Sequence, residues 1–221
     1  MTLKRYKTRM RALFFDTETT DLPKDWKKDA TAGPGNWPDI VSISWILTDG
    51  PSVVGAKSFI VEPEDWVSTP ISLSIHKISH EVAVRSGVKL KRALTEFIRD
   101  LKTVDIVIAH NLHFDKNVVI NAVLYRCLDN PVPKLLFPKY EFCTMAAGRS
   151  ICKLPPINPN PWHEFKAPRL VEFYKFTYNT LPPMELFHSS LGDIHMTVCI
   201  FFKHWSLESA AAFAPTLKIG A

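Results

Sequence analysis

The stretch that decides the fold is Ala12-Leu13-Phe14-Phe15-Asp16-Thr17-Glu18-Thr19-Thr20. An apolar run passes directly into alternating acids and threonines, the pattern of a buried strand whose last residues meet polar surroundings. Side chains on a strand alternate between faces, so Asp16 and Glu18 share one face and Thr17 points away. Their Cα atoms then lie about 6.8 Å apart. Two carboxylates at that spacing can share divalent cations, and hard oxygen ligands suit Mg²⁺ or Mn²⁺. Taken alone, such a pair is more often a polar strand end facing water.

Working outward, residues 21–39 hold Pro23, Gly33, Pro34, Gly35 and Pro38 and read as a loop. Ile40 to Leu47 alternates apolar residues with serine and reads as a strand. Asp49-Gly50 turns the chain into a further strand, Val53 to Val61, which completes an antiparallel hairpin. Leu90, Leu94, Phe97, Ile98 and Leu101 recur at helical spacing, so residues 88–102 form an amphipathic helix. Asp105 to Ala109 is a short apolar strand, expected to be covered on both faces, and Lys116 to Leu128 is a helix. Tyr140 to Cys143 is a brief strand. Residues 152–168 are proline-rich and read as a surface loop, and Pro168 opens a helix to Tyr178. The last helix runs from Ser190 to Trp205 on a stripe of Ile194, Val198, Phe201 and Trp205. There is no internal repeat. The order implies an α/β domain with a mixed sheet.

Composition sets looser bounds. The 221 residues are 46% hydrophobic and 22% charged, enough to bury a sizeable core. With 27 Lys and Arg against 22 Asp and Glu, the net charge of +5 permits an anionic partner such as nucleic acid without requiring one. Cys127, Cys143, Cys152 and Cys199 form no Cys-x-x-Cys pair, which argues against a zinc ribbon and fits thiols in a reducing compartment. The basic first residues lead into no apolar run, and no stretch approaches the roughly 20 apolar residues of a membrane span. The expected location is the cytoplasm or nucleus.

Two further segments carry chemistry. His110-Asn111-Leu112-His113-Phe114-Asp115 follows an apolar strand and precedes a helix. Asp115 therefore sits in a strand-to-helix crossover, where α/β sheets place their sites. A helix N-cap is the other reading of it. His188-Ser189-Ser190-Leu191-Gly192-Asp193 is the second segment. Ser190 and Asp193 have the spacing of a capping box, and the same first turn can present Asp193 to a metal. Phe114 is read as packing, His110 as a support for the strand end, His113 as exposed, and His76 and His80 as surface or substrate-adjacent.

In order and spacing these three segments resemble the motifs of the DnaQ-like (DEDDh) 3′→5′ exonucleases of the ribonuclease H-like superfamily. Phe15-Asp16-Thr17-Glu18-Thr19-Thr20 resembles the family's Asp-x-Glu strand. His110, Asn111, Phe114 and Asp115 resemble its His-Asn-x-x-Phe-Asp segment, and His188 with Asp193 its His-x-x-x-x-Asp segment. Trp37-Pro38-Asp39-Ile40-Val41, Ile75-His76-Lys77-Ile78-Ser79 and Cys143-Thr144-Met145 are similar to secondary stretches, with Lys77 and Ser79 departing where the family often has Gly and Thr. The resemblance implies a ribonuclease H-like α/β fold, with a mixed sheet of three antiparallel strands followed by parallel ones, flanked by helices. It implies one domain over residues 1–205, leaving 206–221 as a short, weakly polar tail free to flex.

Under the same resemblance, Asp16, Glu18, Asp115 and Asp193 hold two Mg²⁺ ions, with Mn²⁺ able to substitute, and His188 is the general base. Asp16 bridges both ions, Glu18 and Asp193 hold the ion that carries the nucleophilic water, and Asp115 acts on the second. Thr17, Thr19, Ile78, His110 and Asn111 are the implied substrate contacts, with Ile78 equally readable as core. The implied substrate is a nucleic acid with a free 3′ end, single-stranded, with DNA favoured over RNA by a small margin. An RNA exonuclease of the same fold, an inactive binding module and a proofreading partner of a polymerase remain open.

Overall fold

A computed structural model of the chain describes residues 9–127, 132–156, 158, 163–183 and 189–213. Five strands form one sheet: β1 (Arg11–Thr19), β2 (Ile40–Asp49), β3 (Ser52–Ile60), β4 (Ile106–Ala109) and β5 (Tyr140–Cys143). Their order is β3-β2-β1-β4-β5. β1 pairs antiparallel with β2 and β2 with β3, whereas β4 runs parallel to both β1 and β5. This is the mixed sheet expected of the ribonuclease H-like fold.

Alternation along β1 builds the two cores. Leu13 and Phe15 face a cluster with Trp45, Phe97, Ile98 and Leu112. Ala12 and Phe14 face the opposite cluster, with Ile46, Phe142, Ile194 and Phe201. The first cluster is covered by α3 (Leu90–Leu101) and α4 (Leu112–Tyr125), the second by α7 (Ser190–His204). All of β4 is buried, as a strand covered on both faces requires. Edge-to-face ring pairs reinforce the α7 side, Phe14 with Phe201 and Phe142 with both Phe201 and Trp205. Each such pair adds about 0.5–1.5 kcal/mol beyond area burial.

Four features differ from the expected elements. α4 begins at Leu112 rather than Lys116, because Asn111 takes the left-handed conformation (φ 72°) and starts the helix directly after β4. Asn tolerates that region better than most residues. Three short helices were not expected: α1 (Pro70–His76), α2 (His80–Ser86) and α5 (Thr144–Cys152). α6 starts at Leu170, two residues after Pro168, and ends at Tyr178. Finally, α8 (Leu207–Phe213) forms in the segment expected as a free tail, because Leu207 and Ala210 are buried against the α7-side core.

The long loop between β1 and β2 is ordered by α4. Asn117 Oδ1 accepts the Ala30 N–H, Asn121 Nδ2 donates to the carbonyls of Ala30 and Gly33, and Tyr125 Oη donates to that of Thr31. No helix among the described residues is long and apolar enough to cross a membrane.

Candidate active site

The face of β1 that carries Ala12 and Phe14 continues through Asp16 and Glu18, so both acids emerge on the α7 side of the sheet. α7 brings Asp193 to the same place. Carboxylate oxygens of Asp16, Glu18 and Asp193 all lie within 4.8 Å of one another. Asp115 reaches the strand end from the α4 side. Its Oδ1 accepts from the Thr17 backbone N–H at 2.9 Å and from the Thr17 hydroxyl at 2.8 Å. Thr17 points away from Asp16 and Glu18, as alternation requires, and by doing so it grips the fourth acid.

The electrostatics are those of buried carboxylates crowded together. Burial lifts Asp16 well above the usual carboxylate range, and the neighbouring charges of Asp115, Asp193 and Glu18 lift it further. Burial also raises Glu18 to about 7. Asp193 rises to about 7 through burial and then the Glu18 charge. Asp115 rises to about 7 through burial, although its bonds from Thr17 pull the other way. Like charges that cannot all ionise cheaply are relieved by a cation. An all-oxygen donor set of this spacing fits the hard divalent ions Mg²⁺ and Mn²⁺. Asp16, Glu18 and Asp193 are the direct candidates, with Asp115 beside them.

A hydroxyl chain seats α7. Ser42 stands opposite Glu18 and Ser44 opposite Asp16 in the β1–β2 register, so both serines share the acids' face. Ser44 Oγ donates to Ser58 Oγ at 2.8 Å. It must therefore accept the Ser190 hydroxyl proton at 2.6 Å, which leaves the Ser190 oxygen to accept from Ser42 at 3.2 Å. Each hydroxyl carries one proton, so the chain runs in one direction. Ser189 is the residue that caps α7, its Oγ accepting the Gly192 N–H. The expected capping box of Ser190 and Asp193 does not form, and the cap falls one residue earlier, because the Ser190 hydroxyl turns to β2 instead. Asp115 is likewise not an N-cap, since Asn111 precedes the helix.

The implied substrate contacts divide. Thr17 commits both its N–H and its hydroxyl proton to Asp115. Thr19 donates its hydroxyl to the Asp21 carbonyl. Both therefore face a substrate without a free side-chain donor. His110 Nε2 lies 3.1 Å from the Pro168 carbonyl and Nδ1 lies 3.0 Å from Thr144 Oγ1. A carbonyl only accepts, so Nε2 carries the proton and Nδ1 accepts from Thr144. Burial pulls His110 down to about 4, against a smaller opposing effect of the Pro168 bond. A neutral ring with both nitrogens engaged ties β4 to the start of α5 and to Pro168, and has no polar atom left for a substrate.

Asn111 makes no side-chain hydrogen bond among the described residues. Ile78 is half-buried in the link between α1 and α2, beside Ile75, which is 47% exposed. The Thr69 N–H donates to the Thr20 carbonyl and fastens the start of α1 to the end of β1. His76, expected at the surface or near substrate, is instead 4% exposed, and its Nδ1 accepts the Ile78 N–H. His113 is half-buried, its ring 5.8 Å from that of Trp37. His188 lies outside the described residues.

Strand order, acid placement and helix cover together define a ribonuclease H-like fold with a carboxylate cluster at the end of its central strand. Among solved structures, the chain is similar to exonuclease X in complex with 5′ overhanging duplex DNA (TM-score 0.55, 20% identity, covering 92% of this chain and 99% of that one). It is also similar to E. coli exonuclease I in complex with a dA16 oligonucleotide (TM-score 0.58, 19% identity, 87% of this chain and 40% of that one). A zinc-bound exonuclease I–ssDNA complex from E. coli gives a TM-score of 0.58 at 20% identity, over 87% of this chain and 40% of that one. The chain thus spans about two fifths of the length of exonuclease I. No protein-family model and no curated protein matches it.

Proposed function

We propose that this protein is a divalent-cation-dependent 3′→5′ exonuclease that releases nucleoside 5′-monophosphates from the 3′ end of a nucleic acid. The observation that carries the reading is the meeting of Asp16, Glu18 and Asp193 oxygens, with the Asp115 charge acting on Asp16, in a fold shared with exonucleases. Single-stranded DNA is the favoured substrate, because the similar structures are bound to a dA16 strand and to an overhanging duplex.

Asp16, Glu18 and Asp193 would hold the cations, with Asp115 beside them. Two Mg²⁺ ions there, or Mn²⁺ in their place, would supply an activated water and a clamp on the attacking and leaving oxygens. Thr17 holds Asp115 in register with β1, and the serine chain sets Asp193 against Asp16. His188, five residues before Asp193 in the sequence, is the proposed general base, since an imidazole titrates near neutral pH.

The test is stepwise shortening of a single strand labelled at its 5′ end, with and without chelator. Activity is expected with Mg²⁺ or Mn²⁺, to be lost in chelator and in Asp16→Ala, and to be blocked by a capped 3′ hydroxyl. His188→Ala should lose most turnover while still binding the metal. Full activity in chelator refutes the metal site, and digestion indifferent to a 3′ block refutes the polarity. Matched DNA and RNA strands, digested side by side, rank the two sugars.

A further inference from the structure

The β1–β2 loop places a large aromatic side chain on the surface, packed against the first turn of α4. Trp26 is 45% exposed, yet its ring rests 5.7 Å from Phe114 and 6.2 Å from Trp37. Trp37 is 4% exposed and belongs to the α4-side core, so Trp26 stands on a fixed base. Phe114 and Asp115 both lie in the first turn of α4, so the residue that Trp26 packs against and the fourth acid are carried by the same helix turn.

The loop around Trp26 is held in one shape. Asn36 Oδ1 accepts the Asp25 N–H, Asn36 Nδ2 donates to the Asp25 carbonyl, and the Lys24 N–H donates to the Asn36 carbonyl. Lys24, Lys27 and Lys28 flank Trp26, all exposed, and none makes an ion pair among the described residues. Asp21, Asp25 and Asp29 lie in the same loop and balance those charges in number. Their carboxylates, however, are turned back onto the loop: Asp21 accepts the Leu22 N–H, Asp25 the Lys27 N–H, and Asp29 the Thr31 N–H and hydroxyl. The ammonium groups are left facing solvent. A half-exposed aromatic ring among unpaired cations is the chemistry that holds a single strand, with bases stacked on the ring and phosphates on the cations.

We propose that this loop is a strand-binding platform for single-stranded nucleic acid. A base beyond the terminal nucleotide stacks on Trp26, while Lys24, Lys27 and Lys28 take up neighbouring phosphates. The inference rests on the exonuclease reading for the identity of the ligand. An aromatic surface of this kind accepts any base, so it lends affinity and register rather than sequence preference. Prealigning the loop before the strand arrives limits the ordering cost of binding.

The experiment is fluorescence anisotropy of a labelled single-stranded oligonucleotide with Ca²⁺ in place of Mg²⁺, at several salt concentrations, beside a hydrolysis assay with Mg²⁺. Trp26→Ala is expected to weaken binding about tenfold, and Trp26→Phe to keep most of the affinity. Replacing the three lysines by alanine should flatten the salt dependence, by about 0.7 in log–log slope for each phosphate that the protein ceases to neutralise. The lysine set and Trp26→Phe keep the test decisive if Trp26→Ala does not fold. The platform is overturned if the parent binds the strand while either Trp26→Ala binds within twofold of it or the lysine set keeps the parent slope. If the parent neither binds nor hydrolyses any strand, the exonuclease reading falls and the platform falls with it. If the parent hydrolyses strands but binding ignores the loop, only the platform falls.

Discussion

Replacing Asp193 by Asn should make the metal-free protein more stable at pH 8. Burial and the Glu18 charge hold the Asp193 carboxyl at about 7, against an ordinary 3.8. A carboxyl raised in the folded state binds its proton more tightly there than in the unfolded chain. Its stabilising share is therefore present at low pH, falls as pH rises from about 4 to 7, and stays lost above. One pKa unit corresponds to about 1.4 kcal/mol, so three units set a ceiling of roughly 4 kcal/mol for this one group. Its shift shares causes with that of Glu18, so the two are not summed, and a gain of about 2–4 kcal/mol is expected for the variant. In a chain of this size that is a melting-temperature rise of about 5–15 °C.

Thermal unfolding in chelator, parent against Asp193→Asn at pH 4.5 and pH 8, reads the effect. The comparison between proteins matters, because the pH slope of the parent alone mixes opposite contributions. His110, held at about 4, gains stability as pH rises towards 6.5, the reverse of the carboxylates. Subtracting the two proteins removes His110. Adding Mg²⁺ should shrink or reverse the advantage, since the parent then gains the free energy of ion binding. If Asp193→Asn is no more stable than the parent at pH 8 in chelator, or gains as much at pH 4.5, the account of an uncompensated carboxylate cluster is wrong.

Two other substitutions probe how the acids are placed. Thr17→Val removes the hydroxyl bond to Asp115 and keeps the backbone bond; with about 1–2 kcal/mol of lost stability, a fall of about tenfold or more in nuclease rate is expected, read by denaturant melts and mononucleotide release. Ser190→Ala breaks the serine chain and leaves Ser44 without its donor; a loss of about 1–3 kcal/mol is expected, together with weaker Mn²⁺ binding by titration calorimetry, whereas the exposed Ser58→Ala should change Mn²⁺ binding little.

The parts of the fold that are legible in the sequence are those with a strong period. β1, β2, α3 and β4 each carry an uninterrupted apolar pattern, and the even–odd alternation of β1 is enough to place Asp16 and Glu18 on one face. The helices that the pattern does not reveal are α1, α2 and α5, each only two or so turns long, too short for a stripe to repeat. Thr69-Pro70 is nevertheless a readable start signal for α1: Thr69 caps it and Pro70 occupies its first turn. The off-by-one cap at α7 comes from two adjacent serines, which spacing cannot rank. What no local pattern can supply is the partnership across the chain. Thr17 with Asp115, His110 with Pro168, and Ser190 with Ser42 and Ser44 join residues separated by tens of positions, and each depends on the assembled sheet. The burial of His76 is hidden for the same reason, since its neighbours in sequence are mostly exposed.

The position of β1 in the sheet has a further consequence. It is paired with β2 along its whole length and with β4 over Ala12–Phe14, and beyond that the Thr17 N–H is held by Asp115, so its acids belong to a strand anchored on both edges. Amides in such a strand open to solvent only when the whole domain opens, unlike those of termini and surface loops. The Asp16 and Glu18 amides should therefore be among the slowest to exchange with deuterium. The geometry presented to a cation is thus as durable as the fold itself. Any adaptation of substrate choice in this protein is left to the loops and short helices that ring the strand end, which can change without disturbing it.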